Sequence, residues 1–348
     1  MRLPERFTLT DAILWTIRIG VLTFVVIGSY LTVSQGLYAQ SAWGSFITAG
    51  IALGSVYALI ALGYTLVYGI LFMINFAHGE VFMAGAFTAF FAATALNDIG
   101  MLESNLFVSI PAILLTAMVT SLIVAVLLER IAYRPLRRAP RLVPLITAIG
   151  ASLFLQYTFR GLYGARPRSY PTLEILAGDF VILGMSIPRT RAIVIVAAVL
   201  LMVALFWLVE RTRTGRSMRA VSEDKDVAAM MGINVDRVIV QTFAIGGVLA
   251  GAAGILYTLM FNQVSAHMGF LPGIKAFTAA VLGGIGNIAG AALGGLMLGI
   301  LEAVGPYLLL AGFGVPSPTQ LKDVIAFAVL VLVLVFRPNG ILGRQEGT

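Results

Sequence analysis

The chain has 348 residues, 59% of them hydrophobic and only 11% charged, with a mean hydropathy of +0.96; an average soluble domain carries roughly 25% charged residues. That balance excludes a soluble globular enzyme and points to an integral membrane protein. The net charge of +7 sits in short polar connectors, which reads as membrane orientation and not as a nucleic-acid footprint. The absence of cysteine excludes disulfides and thiolate metal sites, and two histidines without acidic clusters argue against a metal centre.

The chain opens with a polar stretch, Met1–Asp11, carrying Arg2 and Arg6, followed by an apolar run from Ile19 to Val33. A signal peptide with a cleavage site near Ala39–Ala42 is one reading. A retained first transmembrane helix is favoured, because the apolar part is long for the 7–15 residues of a signal core. No Asp, Glu, Lys or Arg occurs from Ile19 to Gly79. A second span is expected over Trp43–Phe72 and a third over Val81–Leu96, joined without a hydrophilic loop. A fourth covers Asn105–Leu128 and a fifth Val143–Phe159. A sixth precedes residue 210 and a seventh covers Val238–Phe261, each run being close to or above the ~18 residues that mark a membrane helix. Unbroken runs of this kind specify helices and not barrel strands.

The connector Glu129–Leu142 holds five Arg and one acid and marks the cytoplasmic side. Arg160–Arg191 must then lie outside, although its five Arg run against the positive-inside trend, and the 210–237 connector returns to the cytoplasm. Arg2, Arg6, Arg337 and Arg344 agree with cytoplasmic termini. After residue 275 the same parity requires an even number of crossings in 276–311. That is short for two passes of about 20 residues each, so one pass is shortened or broken, with Gly283–Asn287 (GGIGN) as the break.

The stretch Gly63–Gly85 (GYTLVYGILFMINFAHGEVFMAG) brings Asn75, His78 and Glu80 into an otherwise uncharged membrane segment. An ionisable group in lipid is costly and by default functional. Two Gly- and Asn-containing breaks, one in each half, are the pattern of a transporter that handles solute near mid-membrane. Asn75, His78, Glu80, Gly283, Gly284 and Asn287 are therefore the expected substrate pathway. The alternative is that Asn75 and Glu80 cap helix ends and His78 satisfies a freed carbonyl. GxxxG spacings at Gly50/Gly54, Gly247/Gly251, Gly290/Gly294 and Gly295/Gly299 suit close helix contact. Glu302 reads as a pathway group or as the partner of a neighbouring polar helix, the latter favoured, and His267 is expected to do nothing specific. GIGNIA at Gly284–Ala289 formally fits a dinucleotide fingerprint but follows no strand. In the 210–237 connector a short amphipathic helix is expected over Glu223–Met231, stopped by Gly232, with Met230 and Met231 exposed for docking to another protein. No P-loop motif is present, so any ATP is hydrolysed by another subunit.

Five fragments in order, GYTLVYGILFMINFAHGE, ERIAYRPLRRAPRLVPLITAIGASLFLQ, RAVSEDKDVAAMMGINVDRV, AAVLGGIGNIAGAALGG and RPNGILG, make the stretch from Trp43 to Gly343 resemble the high-affinity branched-chain amino acid permease family of ABC importers, LivH type. The resemblance implies an all-α polytopic fold of about 8–10 transmembrane helices including broken or re-entrant segments, similar to the ribose and vitamin B12 importer permeases. Residues 41–343 would form one permease domain, 1–40 an extra helix and 344–348 a cytoplasmic tail. It implies a second permease of the LivM type, two ABC ATPases and a periplasmic solute-binding protein in a bacterial inner membrane. ATP and Mg2+ would be held by partner subunits, with no cofactor on this chain and no nucleic-acid partner. Glu223, Asp224, Ala228, Ala229 and Gly232 would be the ATPase-coupling residues. Relatives of this kind also carry amides or urea, and a self-sufficient secondary transporter or solute channel, with His78 and Glu80 as a proton-linked pair, remains the alternative.

Overall fold

A computed structural model describes residues 9–343 apart from 138, 141, 172, 183, 184 and 338. Arg2, Arg6, Arg344 and the 344–348 tail, on which part of the orientation argument and the domain division rest, lie outside the described residues. In chain order the helices are α1 (Leu9–Ser34), α2 (Gln40–Leu71), α3 (His78–Asp98), α4 (Met101–Ser104), α5 (Leu106–Leu128), α6 (Leu142–Tyr163), α7 (Arg189–Arg211), α8 (Arg213–Glu223), α9 (Lys225–Met230), α10 (Val235–Phe261), α11 (Phe270–Gly283), α12 (Ile288–Gly305) and α13 (Lys322–Phe336). Short strands β1 (Arg168–Ser169) and β4 (Gln263–Val264) pair antiparallel, as do β2 (Asp179–Ile182) and β3 (Met185–Pro188). Among the described residues nine helices are long and apolar enough to cross a membrane, and the all-α polytopic expectation holds.

Contacts between connectors sort them onto two faces. On one, called lower, Arg134 and Arg137 pair with Asp236 at the start of α10. On the same face Lys225 Nζ lies 5.8 Å over the Phe72 ring, and the backbone of Ile341 and Leu342 bonds that of Leu282 and Gly283. On the other, upper, β1–β4 ties residues 168–169 to 263–264, and Arg191 bonds Ser45. The 129–141 and 212–234 connectors therefore share one face, and 164–188 and 262–269 the other, as parity requires.

The centre consists of α2, α3 and α10, whose apolar windows are 67–72% buried, whereas those of α1 and α13 are only 6% buried. The outer helices turn apolar side chains to lipid, so burial follows position in the bundle and not hydrophobicity. Small residues set the closest contacts. A Cβ on Gly54 would meet Leu296 O at 2.8 Å, and one on Gly247 would meet Ser121 O at 2.7 Å. Gly295 and Gly299 abut Ala58 and Gly54 across the α2–α12 contact, and Gly290 and Gly294 abut Gly283 and Ala279 across α11–α12. With little hydrophobic drive between helices in lipid, this backbone proximity is what holds them together.

The expected shortened pass is present, but GGIGN is the turn that links it to α12 and not a break inside it. The shortened pass is α11, 14 residues long and about 21 Å at 1.5 Å per residue. Gly284 and Gly286 both take positive φ in the turn that follows. The expected short helix near Glu223–Met231 is present as α9, Lys225–Met230, stopped by Gly232, and a separate helix, α8, precedes it. Asp224 is extended and accepts hydrogen bonds from the backbone of Asp226 and Val227, ending α8 and starting α9. An N-cap aspartate removes its own residue from the helical path, so the amphipathic segment is α8, with Met218 and Val221 on its buried side.

Candidate functional site

The break between α2 and α3 begins at Phe72, whose φ of 55° is left-handed and whose N–H still bonds Tyr68 O at 2.8 Å. The chain then turns back into the bundle. The His78 ring lies against Gly63 and Gly246, well inside α2 and α10 and not at their ends, so α3 starts at mid-height. The 262–269 connector re-enters from the upper face in the same way. A Cβ on Gly273 would stand 3.0 Å from Gly79 Cα, and one on Gly254 would stand 2.8 Å from Phe82 O. The N-terminal ends of α3 and α11 therefore abut, with α3 running to the upper face and α11 to the lower. Neither start has a side-chain cap. Each helix N-terminus carries roughly half a positive charge on its freed N–H groups, and Glu80 places its carboxylate where the two meet.

Glu80 is 1% exposed. Its Oε1 accepts from Gln156 Nε2 at 2.7 Å and from Ser152 Oγ at 3.3 Å, while its Oε2 has no partner and faces Gly269. Because the Gln156 amide donates to Glu80, its Oε1 is turned to His267 Nδ1, 3.2 Å away, which then donates. His267, expected to do nothing specific, is thus the exposed end of a chain reaching the junction. The buried positions of α6 are Pro144, Ala148, Ser152 and Gln156, one stripe at helical spacing, and half of it is turned to Glu80.

Asn75, His78 and Glu80 are neighbours in sequence with different partners in space. Asn75 Oδ1 accepts from Tyr133 OH at 2.6 Å, and its backbone O accepts from His78 N. The His78 ring packs on Tyr64 with centroids 4.9 Å apart, and its Nε2 has no partner. The capping alternative does not describe these side chains: Asn75 and Glu80 bond other helices, and His78 satisfies no carbonyl. Asn287 does cap, its Oδ1 accepting from Gly290 N, and its Nδ2 donates to Leu342 O at 2.8 Å. Gly283 and Gly284 form the turn against the 339–343 segment. These three residues lie at the lower face, apart from the Asn75–His78–Glu80 region.

Two clefts flank the α2–α12 contact, both walled by α2, α7 and α12. The upper one, about 740 Å3, is bordered by Ser45, Leu53, Arg191, Met260, Glu302 and Lys322. The lower one, about 490 Å3, is bordered by Tyr68, Phe72, Glu210, Arg219, Glu223 and Asn287. Between them Gly54 and Ala58 touch Gly295 and Gly299, and the void beside Tyr64, Asn75 and Phe277 measures only about 10 Å3, no more than one water needs. The α2–α12 contact separates the two clefts.

A charge cluster underlies the upper cleft. Lys275 Nζ lies 2.7 Å from Glu302 Oε1 and 2.6 Å from Asp323 Oδ1. The second contact is an ion pair without hydrogen-bond alignment, since Asp323 Oδ1 has no directed partner. Tyr57 OH donates to Glu302 Oε2 at 3.0 Å. Glu302 is thus the partner of a polar helix, as favoured, and also a wall of a cleft. Lys275 went unremarked in the sequence, although it is the sole charge between Arg237 and Glu302, and a lone lysine in lipid requires an acid.

In the lower connector Gly232 has φ +82° with open space around it. Its N–H bonds Ala229 O while Ile233 N bonds Ala228 O, so it ends α9 as a left-handed cap. Glu223 closes α8, Asp224 caps α9, and Ala228 is the buried residue of α9. Met230 and Met231 are 78% and 77% exposed. Lys225 is held below the usual lysine range by burial and by nearby Arg137, with Asp226 opposing. Its contact with Phe72 joins α9 to the break. Among the described residues no cluster of His, Asp and Glu could hold a metal.

The family described as "Branched-chain amino acid transport system / permease component" matches residues 46–334. The chain is 46% identical over 306 residues to the high-affinity branched-chain amino acid transport system permease protein BraD of Pseudomonas aeruginosa, covering 85% of this chain and 94% of that protein. It is 44% identical over 300 residues to the corresponding protein LivH of Escherichia coli K12, with the same coverage. A probable LivH of Methanocaldococcus jannaschii is 29% identical over 306 residues, covering 85% of this chain and 91% of that protein.

Proposed function

The chain belongs to the branched-chain amino acid transport permease family, and from that premise we propose that it is the permease subunit of an ABC importer for branched-chain amino acids or a closely related small polar solute. ATP is hydrolysed by two partner ATPases, solute is delivered by a binding protein at the upper, external face, and a second permease of the LivM type completes the membrane unit. The observation that carries this reading is the pair of clefts on opposite faces, walled by the same three helices and separated by a closed, glycine-lined contact. Such an arrangement is one stage of alternating access.

The moving parts are the two helices that start inside the bundle. A continuous helix resists bending, whereas α3 and α11 meet end to end and can shift against each other without breaking internal hydrogen bonds. Asn75, His78 and Glu80 form the mid-height side of the path, and Gly283, Gly284 and Asn287 its lower exit. ATPase closure is received by α8 and α9 through Glu223, Asp224, Ala228, Ala229 and Gly232. It reaches the break through Lys225 and Phe72. High affinity resides in the binding protein, so the permease needs only weak solute contacts.

The test is uptake of labelled leucine by proteoliposomes holding the chain with its partners. ATP-dependent uptake that also requires the binding protein supports the reading. Uptake by this chain alone, driven by an ion gradient, would replace it with a secondary transporter.

A further inference from the structure

The upper cleft combines features that a zwitterion would need. Glu302, 3% exposed, stands in its wall. The cluster of buried Lys275 and Glu302 with the partly exposed Asp323 holds one positive and two negative charges, so it carries one excess negative charge. That excess is answered from the rim by Lys322, whose Nζ is 4.0 Å from Glu302 Oε1 and whose side chain is 47% exposed. At this distance the pair is a loose ion pair and not a hydrogen bond, and a lysine on a four-carbon stem is readily displaced. Arg191 stands on the α7 side of the same cleft and uses Nη1 for Ser45 O and Oγ; with five donors on its guanidinium it has others to offer. Ala49, Leu53 and Met260 supply an apolar wall.

We infer that the upper cleft is a low-affinity receiving site for a free α-amino acid with an aliphatic side chain. The solute's ammonium takes the place of Lys322 beside Glu302, its carboxylate is held by Arg191 and the displaced Lys322, and its side chain lies on Ala49, Leu53 and Met260. An exchange of one ammonium for another leaves the charge of the cluster unchanged, which avoids the cost of an unpaired ion near lipid. A solute lacking either charged group would leave one side of the site unmatched. The inference rests on the proposed importer function and adds the residues that accept the solute from outside.

The experiment uses the assembled transporter in nanodiscs without binding protein and measures binding of labelled leucine, with 3-methylbutylamine (no carboxylate) and 4-methylpentanoate (no ammonium) as competitors. Leucine is expected to bind weakly, and each competitor to be at least about tenfold poorer, the factor that 1.4 kcal/mol represents. Arg191→Gln should remove the preference for leucine over 3-methylbutylamine, and Arg191→Lys should restore part of it; Lys322→Gln, which removes a carboxylate partner and the competitor for Glu302 together, should weaken 4-methylpentanoate and strengthen 3-methylbutylamine. Because Glu302 also partners the buried Lys275, the judgement rests on the two rim residues. If the same preparation imports leucine with binding protein and ATP yet shows no leucine binding, or binds all three compounds equally, this inference fails while the importer reading stands. If it imports no leucine under any condition, the importer reading fails first.

Discussion

Replacing Gln156 by leucine keeps the volume of the side chain but removes the donor 2.7 Å from Glu80 Oε1 and the acceptor facing His267. Glu80 then keeps only the longer bond from Ser152, at 3.3 Å, on a carboxylate that is 1% exposed. A hydrogen bond to a charged group contributes about 1.5–3 kcal/mol, and leaving its buried partner unsatisfied costs more than deleting both. A double-mutant cycle separates the two effects. Gln156→Leu alone should destabilise by about 2–3 kcal/mol, and in an Glu80→Leu background it should cost about 1 kcal/mol or less. The assay is equilibrium unfolding of the purified protein in mixed micelles, with leucine uptake measured in parallel. A coupling energy below about 0.5 kcal/mol, the range of independent sites, would refute the claim that Glu80 docks α6 onto the helix junction. It would equally remove the reason for treating His267 as the outer end of that chain.

Gly54→Leu should abolish recovery of folded protein, because a Cβ there stands 2.8–2.9 Å from the Leu296 backbone. Gly150→Leu on α6, with nothing within 4 Å, should be tolerated; equal yields on a membrane-extraction assay would count against the glycine-lined contact. Gly232→Val meets no neighbour but must adopt φ +82°, a strain of about 1–2 kcal/mol. It should lower leucine uptake per ATP hydrolysed while the protein still inserts, with Gly232→Asn milder; an unchanged ratio would detach Gly232 from coupling. Tyr133→Phe leaves Asn75 Oδ1 buried without its 2.6 Å donor and should destabilise by about 1–3 kcal/mol, an effect that Asn75→Leu in the same chain partly relieves.

The spans, the two faces, the shortened pass before Asn287 and the stop at Gly232 were legible because each follows from local composition: unbroken apolar runs, clustered charge, glycine at a turn. The GxxxG spacings were legible for the same reason, since small residues have few uses in lipid other than close approach. The helix junction was not. Glu80 could be singled out as a costly charge, but its partners lie 72, 76 and, through Gln156, a further 111 positions away, and a serine or glutamine in an apolar helix carries no sign of what it faces. The helix that ends at Gly232 was legible, but the separate α8 ahead of it was not, because a capping aspartate such as Asp224 differs from a helical one only in backbone conformation. Lys275 and Glu302 were within reach, as isolated opposite charges in adjacent charge-free runs.

The clasp at the lower face bears on the order in which the protein can be completed. The turn between α11 and α12 receives backbone bonds from Ile341 and Leu342, and Asn287 is bound by Leu342 O, 55 positions downstream. During synthesis α11 and α12 enter the membrane before that segment exists, so the hairpin first stands with its turn unfastened. α11, at 14 residues, is shorter than the roughly 20 residues of a full span, and its lower end stays unfastened until residues 339–343 fold back onto it. The short helix is therefore secured by the chain that follows it, and the α11–α12 turn is among the last parts to be fastened.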